Sequence, residues 1–133
     1  ESALSWQDLR EGFGGLAPLL GGEKETSVTQ HNVARRVEAY LTAHYGEHIN
    51  NQKLGQAFGY VPSYISLLFR KEYGVSPAEY LTRVRLFQAK ALIQQNPGML
   101  IRDVAERVGF KSPHHFSRTF KKYEGIWPTG YPQ

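Results

Sequence analysis

Four side chains near the end of the chain, His114, Ser117, Arg118 and Lys121, recur at the i, i+3, i+4, i+7 spacing that lines up one face of a helix. All four are hydrogen-bond donors, and they suit a ligand rich in acceptors. The planar fork of Arg118 matches the O6 and N7 atoms of guanine, and an imidazole or hydroxyl at 114 or 117 reaches other base edges. Lys121 suits a phosphate, as do Lys111, His115 and Lys122 around it. The same face occurs 51 residues earlier as Ser63, Ser66, Leu67 and Arg70, with Lys71 following. There Ser63, Ser66 and Leu67 take the base-edge positions, and Arg70 and Lys71 the phosphate positions. Leu67 stands where the later face has Arg118; it makes no hydrogen bond but fits a thymine methyl group. The chemistry implied is recognition of a polyanion rather than bond breaking.

These faces belong to a repeat. Leu54 to Pro77 reads LGQAFGYVPSYISLLFRKEYGVSP, and Val104 to Pro128 reads VAERVGFKSPHHFSRTFKKYEGIWP. Gly59 aligns with Gly109, Tyr60 with Phe110, Ser66 with Ser117, Phe69 with Phe120, Gly74 with Gly125 and Pro77 with Pro128. The offset is 50 before the turn and 51 after it, so the second turn is one residue longer. Two helices around a glycine-bearing turn make a helix-turn-helix pattern. Charge follows the repeat. From Asn50 onward there are 12 Lys/Arg against 5 Asp/Glu, a balance of +7, whereas residues 1–49 carry 4 against 7, or −3. A basic cluster of this kind is the electrostatic footprint of a polyanion partner.

The elements that must carry these residues are all helical. Residues 29–45 place Val33, Val37, Leu41 and Tyr45 on one face before Gly46. Asn50 caps a short helix through Phe58. The first outward face lies on a helix from Pro62 to Tyr73, with Ile65, Leu68 and Phe69 as its buried stripe and Gly74 as its end. Ser76-Pro77-Ala78-Glu79 forms a capping box that opens the longest helix. That helix aligns Leu81, Val84, Gln88 and Leu92 and stops before Asn96-Pro97-Gly98. Helices at 101–108 and 113–124 follow, the second capped by Ser112 and burying Phe116, Phe120 and Tyr123. The expected architecture is all-α: two homeodomain-like helix-turn-helix units joined by a long helix, with about seven helices. Residues 29–76 form the first unit, 77–95 the connecting helix and 96–133 the second unit. Residues 1–28, with Trp6, Leu9 and Phe13 at helical spacing and then several glycines, form an arm or linker from an upstream domain.

Composition removes other classes. Of 133 residues 41% are hydrophobic, enough for a core, and no apolar run reaches membrane-spanning length. Cysteine is absent, which rules out disulfides, thiolate metal sites and cysteine nucleophiles. His114 and His115 are adjacent and point about 100° apart on a helix. His44 and His48 are separated by Gly46, so neither pair makes a metal site. No paired carboxylates, phosphate-cradling glycine loop or nucleophile–base arrangement appears. The expectation is a cytoplasmic protein that is not an enzyme and takes neither cofactor nor metal.

From about Asn50 to Pro128 the chain resembles the DNA-binding domain of AraC/XylS-type transcription regulators. The resemblance rests on FRKEYGVSP, on Tyr80-Leu81 with Arg85 in the joining helix, and most of all on the second repeat. It implies a seven-helix domain whose two units each set their second helix in the major groove on one face of double-stranded DNA. It places base-reading positions at Ser63, Ser66, Leu67, Pro113, His114 and Arg118. It also implies an upstream ligand-binding or receiver domain, with the tryptophan-led arm favouring a receiver and hence a two-component response regulator. Dimerisation would run through that upstream part. The chain departs from the family pattern in several places. Val61 and Leu100 stand where capping Ser or Thr is usual, Gly55 replaces an alanine, Leu67 an arginine, and Trp127 a small polar residue. Breakers fill the tail at Thr129-Gly130-Tyr131-Pro132. An alternative reading is an interaction module contacting a protein such as RNA polymerase through Leu67 and Tyr64.

Overall fold

Six α-helices and a short 3-10 turn make up the regular structure of residues 26–132, the part described by the computed structural model, and no strand occurs among them. Trp6, Leu9, Phe13 and most of the expected arm lie outside the described residues. The helices are α1 (Ser27–Ala43), α2 (Asn51–Phe58), α3 (Pro62–Tyr73), α4 (Pro77–Gln95), α5 (Ile101–Arg107) and α6 (Pro113–Glu124), and the 3-10 turn is Pro128–Gly130. No described helix is long and apolar enough to cross a membrane. The described residues fall into two compact units. One holds α1, α2, α3 and the start of α4 through Tyr80; the other holds residues 44–48, the rest of α4, α5, α6 and the terminal turn.

Local chemistry sets most helix ends. Asn50 Oδ1 accepts from the Lys53 backbone N–H at 2.8 Å, Ser76 Oγ from Glu79 at 3.2 Å and Ser112 Oγ from His115 at 3.0 Å. Each satisfies one of the donors that a helix N-terminus leaves unpaired. Val61 and Leu100 provide no such bond, and both remain exposed. Pro62 at the first position of α3 spares one of those donors outright.

The first unit packs α1 and α2 on α3. Val33, Ala34, Val37 and Leu41 from α1, Leu54 from α2, and Tyr64, Ile65, Leu68 and Phe69 from α3 are all buried. Helix α1 runs over Ser27–Ala43 rather than 29–45, so Tyr45 lies beyond it and packs instead into the core of the second unit. Tyr64, expected on the outward side, is 5% exposed, and its hydroxyl oxygen accepts from Gln30 Nε2 at 3.3 Å. Its ring lies against that of Tyr60, centroids 5.5 Å apart.

The one-residue difference between the two turns has a packing consequence. In the shorter first turn, a methyl group at Gly55 would meet the Tyr60 carbonyl oxygen at 2.7 Å and the Pro62 ring at 3.2 Å. Ala105 holds the equivalent place in the second unit, beneath the longer turn, and is fully buried. Gly55 is thus the residue that lets the short turn close. The extra residue of the second turn also gives α6 a capping serine where α3 has Val61.

The second unit gathers Leu86, Ala89 and Ile93 of α4 with Val104, Ala105, Val108, Phe110, Phe116 and Phe120. This stripe differs from the expected line of Leu81, Val84, Gln88 and Leu92, of which only Leu81 is buried. The expected line contains a glutamine amide that would be costly to bury, whereas 86, 89 and 93 are wholly apolar. Arg85, on the same helix, donates from Nε to the Tyr45 carbonyl and from Nη2 to the Glu47 carbonyl, both at 2.7 Å. Its guanidinium carbon lies 6.0 Å from the centre of the Phe110 ring. Gly109, at φ +102, leaves room for it, since a Cβ there would stand 2.8 Å from Arg85 Nε and 2.6 Å from the Tyr45 oxygen. The tail breakers form the Pro128–Gly130 turn, and Tyr131 closes on Phe120 with ring centroids 5.5 Å apart.

The end of α3 is polar yet enclosed. Glu72 Oε1 lies 3.1 Å from His31 Nδ1, with side chains only 7% and 11% exposed. Nearby, the Tyr80 hydroxyl donates to Glu38, which also accepts from Thr42 at 3.1 Å. Burial, with that hydrogen bond and the Glu38 charge, pushes the Tyr80 phenol up to about 12. Burial also pushes the Glu72 carboxyl up from 4.5 to about 7, while Arg35 pulls it down.

Two outcomes are expected. Gly55→Ala adds about 1 kcal/mol of helix propensity, but the clash should outweigh it and lower stability by roughly 1–2 kcal/mol in urea unfolding. The Glu72 carboxyl holds its proton more tightly in the folded state than in the unfolded chain. Stability should therefore fall as the pH rises from about 4.5 to about 7. Glu72→Gln should flatten that interval, and an unaltered slope in the variant would show that another group sets it.

Candidate nucleic-acid interface

Helix α6 buries Phe116 and Phe120 and turns the opposite side outward. On that side His114, Arg118 and Lys121 are exposed and Ser117 is half-buried. Helix α3 repeats the arrangement: Ser63, Leu67 and Arg70 are exposed and Ser66 is half-buried. Each serine lies at the edge of its helix's buried stripe, where a short hydroxyl fits. Leu67, 43% exposed, is the one large apolar side chain on the first face.

The residues expected to meet phosphates are also at the surface. Lys71, Lys111, His115 and Lys122 are exposed, as is Pro113 at the first position of α6. The backbone N–H of His115 donates to Ser112, and its ring stands edge-on to Phe110 at 5.5 Å between centroids. Arg70 and Lys71 occupy the last turn of α3, and Lys121 and Lys122 the last turn of α6. Cations there are stabilised by the helix dipole whatever they bind. The charge of these pairs is therefore less telling than the face on which each residue lies.

The buried stripe of α6 is shorter than expected, because Tyr123 is 38% exposed. Lys122 Nζ lies 5.9 Å from the centre of its ring. The repeats are also transposed here: residues 71–74 read Lys-Glu-Tyr-Gly and residues 122–125 read Lys-Tyr-Glu-Gly. In the first unit Tyr73 joins Phe69 and Tyr80, with ring centroids 4.6 and 5.6 Å away. In the second that position is Glu124, which pairs with Lys90 of α4 at 3.1 Å. Tyr123 instead takes the place of Glu72. Past the helix, Lys121 Nζ donates to the Gly125 carbonyl at 3.0 Å and lies 5.8 Å from the centre of the Trp127 ring. The sequence marks Trp127 as unusual but does not reveal this contact, because a left-handed residue at Gly125 folds the chain back between them.

Known proteins share both the sequence and the fold. The sequence profile of a family described as a helix-turn-helix domain matches residues 54–133. The chain is 38% identical over 103 residues to the HTH-type transcriptional regulator YisR of Bacillus subtilis, a span covering 77% of this chain and 35% of that protein. It resembles the solved C-terminal domain of AraT, a response regulator from Geobacillus stearothermophilus, with a TM-score of 0.72 and 30% identity. That likeness covers 74% of this chain and 82% of the AraT chain. The DNA-binding domain of AdpA, a global transcriptional factor solved in complex with a target DNA, gives a TM-score of 0.69 at 26% identity. It covers 74% of this chain and 87% of the AdpA chain. The chain spans about a third of the length of curated relatives such as YisR.

Proposed function

Because the chain belongs to the AraC-type helix-turn-helix family of transcription-regulator DNA-binding domains, we propose that it reads specific sequences of double-stranded DNA by setting α3 and α6 into major-groove segments about one helical turn apart. The observation that carries this reading is the repeated outward face, polar or basic in both units except at Leu67 and backed each time by a buried stripe. In α6, Arg118 contacts a guanine edge and His114 and Ser117 contact neighbouring bases. In α3, Ser63 and Ser66 reach base edges and Leu67 meets a thymine methyl. Arg70, Lys71, Lys111, His115, Lys121 and Lys122 bind phosphates, and the counterions they release supply affinity that weakens with salt. The second unit discriminates bases more strongly than the first.

The family is a DNA-binding domain of regulators rather than an enzyme, and the mechanism invokes no cofactor or metal. In the whole protein this domain is the cytoplasmic output of an upstream sensor or receiver, and any dimerisation lies upstream as well. A second role, contact with a protein such as RNA polymerase, keeps the exposed Leu67 in its favour but loses Tyr64 to the core.

Selection of duplexes from a randomised pool is the direct test, and two half-sites about one helical turn apart are expected. Arg118→Ala should cost roughly 1–3 kcal/mol on the selected site and relax preference at one base pair. Lys122→Ala should weaken all duplexes alike and lower the salt slope by about one. An unchanged base preference in the Arg118→Ala selection would remove α6 from base reading.

A further inference from the structure

The last turn of α6 holds a lysine in an arrangement that the first unit lacks. Gly125 adopts φ +84, so the chain reverses and the next residues run back past the helix end. Pro128 is buried and Tyr131 packs on Phe120, which fixes the backbone on the far side of Trp127. The indole is 50% exposed, yet it is not idle. Lys121 Nζ lies 5.8 Å from its centre and donates to the Gly125 carbonyl at 3.0 Å.

An unrestrained lysine has among the most rotamer freedom to lose when a ligand orders it. Here two contacts restrain the ammonium before any ligand arrives. An ammonium has three donors, and the bond to Gly125 uses one. Lys121 also continues the outward line of His114, Ser117 and Arg118. In the first unit the corresponding residues are Arg70, Val75 and Ser76, which offer no ring, and the Ser76 hydroxyl is engaged at Glu79.

We infer that Trp127 is a positioning residue: it holds the Lys121 ammonium, through a cation–π contact, where it grips one DNA phosphate beside the base-reading face of α6. The inference rests on the DNA reading proposed above. It gives Trp127 a part in affinity without a part in sequence choice, since phosphate contacts set register and carry no base information.

The test uses a duplex selected by the wild-type chain, with the dissociation constant measured over a range of salt. Trp127→Ser should weaken binding about two- to five-fold, the range of an exposed cation–π contact. It should also lower the salt slope toward that of Lys121→Ala, about one below wild type. Trp127→Leu keeps apolar bulk without a π face and should behave like the serine variant, whereas Trp127→Phe should stay near wild type. In a Lys121→Met chain, Trp127→Ser should have no further effect. The inference is overturned if Trp127→Leu binds as wild type, or if Trp127→Ser costs the same with and without Lys121. Thermal unfolding of each variant separates a lost contact from a lost fold. If the wild-type chain selects no duplex at all, the DNA reading itself fails. That outcome is distinct from a duplex held equally well by wild type and Trp127→Ser.

Discussion

The second unit is organised around one guanidinium. Residues 44–48 belong to no helix, so their backbone carbonyls must find donors elsewhere. Arg85 supplies two of them, with Nε on Tyr45 and Nη2 on Glu47, while the His44 carbonyl accepts from the Glu47 N–H. A lysine would offer a compact charge on a flexible stem in place of the planar fork that spans two carbonyls. The same group lies over Phe110, the residue that leads the turn toward α6. Gly109 is glycine for two reasons at once: its φ of +102 disfavours a side chain, and the space a Cβ would fill is taken by the Tyr45 oxygen and Arg85. Burial lowers the pKa of the guanidinium but does not discharge it, because an arginine pKa begins so high. The arginine, the glycine and the loop are therefore one constraint, and the turn that aims the more strongly basic recognition helix is part of it.

The first unit reaches the same helix-turn-helix geometry by different means. The end of α3 is tied through a side chain, Glu72 to His31 of α1, and beside it Tyr80 of α4 donates to Glu38 of α1. Such a tie is responsive to protons in a way that an arginine on carbonyls is not. The Glu72 carboxyl, pushed up to about 7 by burial, changes charge near neutrality. The nearby acid of the second unit, Glu124, stands at the position of Tyr73 and faces Lys90 in a more open setting, with side chains 22% and 28% exposed. The repeats thus share backbone geometry while differing in what fastens the recognition helix to its neighbour.

This difference marks the boundary of what the sequence made legible. Helix starts with an Asn or Ser cap, helix ends at Gly59, Gly74 and Gly125, and the leading halves of both buried stripes were readable, because each depends on chemistry within a few residues. The outward faces were readable for the same reason, since burial of Ile65, Leu68 and Phe69 or of Phe116 and Phe120 leaves only one side to solvent. Features that depend on distant partners were not. Tyr123 continues an apolar pattern but lies outside the core, although the equivalent position of the first unit, Glu72, is enclosed against His31 of α1. Tyr45 continues the spacing of α1, but the helix stops at Ala43 and the ring joins another unit. Tyr64 carries a polar hydroxyl suited to a surface, yet Gln30, 34 positions earlier, satisfies it in the interior. Gly55 was legible only as a departure from the family's alanine, and it is the clearance required by a turn one residue shorter.

Turn length also bears on how the two units would differ under the proposed DNA reading. The longer turn places Ser112 at the head of α6, where it fixes the first backbone N–H groups of the helix and so the approach of His114 and His115. Helix α3 begins at Val61 with no side-chain cap and relies on Pro62 for a preset backbone. At the far end, Trp127 lies alongside Lys121 after α6, whereas Val75 and Ser76 take the corresponding places after α3. Both ends of α6 are therefore held in place before any ligand binds, and its central outward residue is Arg118, the side chain assigned to a guanine edge in the proposed reading. Preorganisation lowers the entropy lost on binding, and an arginine gains most from it because bidentate contact with a base edge demands a defined geometry. The asymmetry between Leu67 and Arg118 is accordingly matched by an asymmetry in the scaffold: the helix that carries the arginine also has a side-chain cap at its start and a ring beside its last-turn lysine.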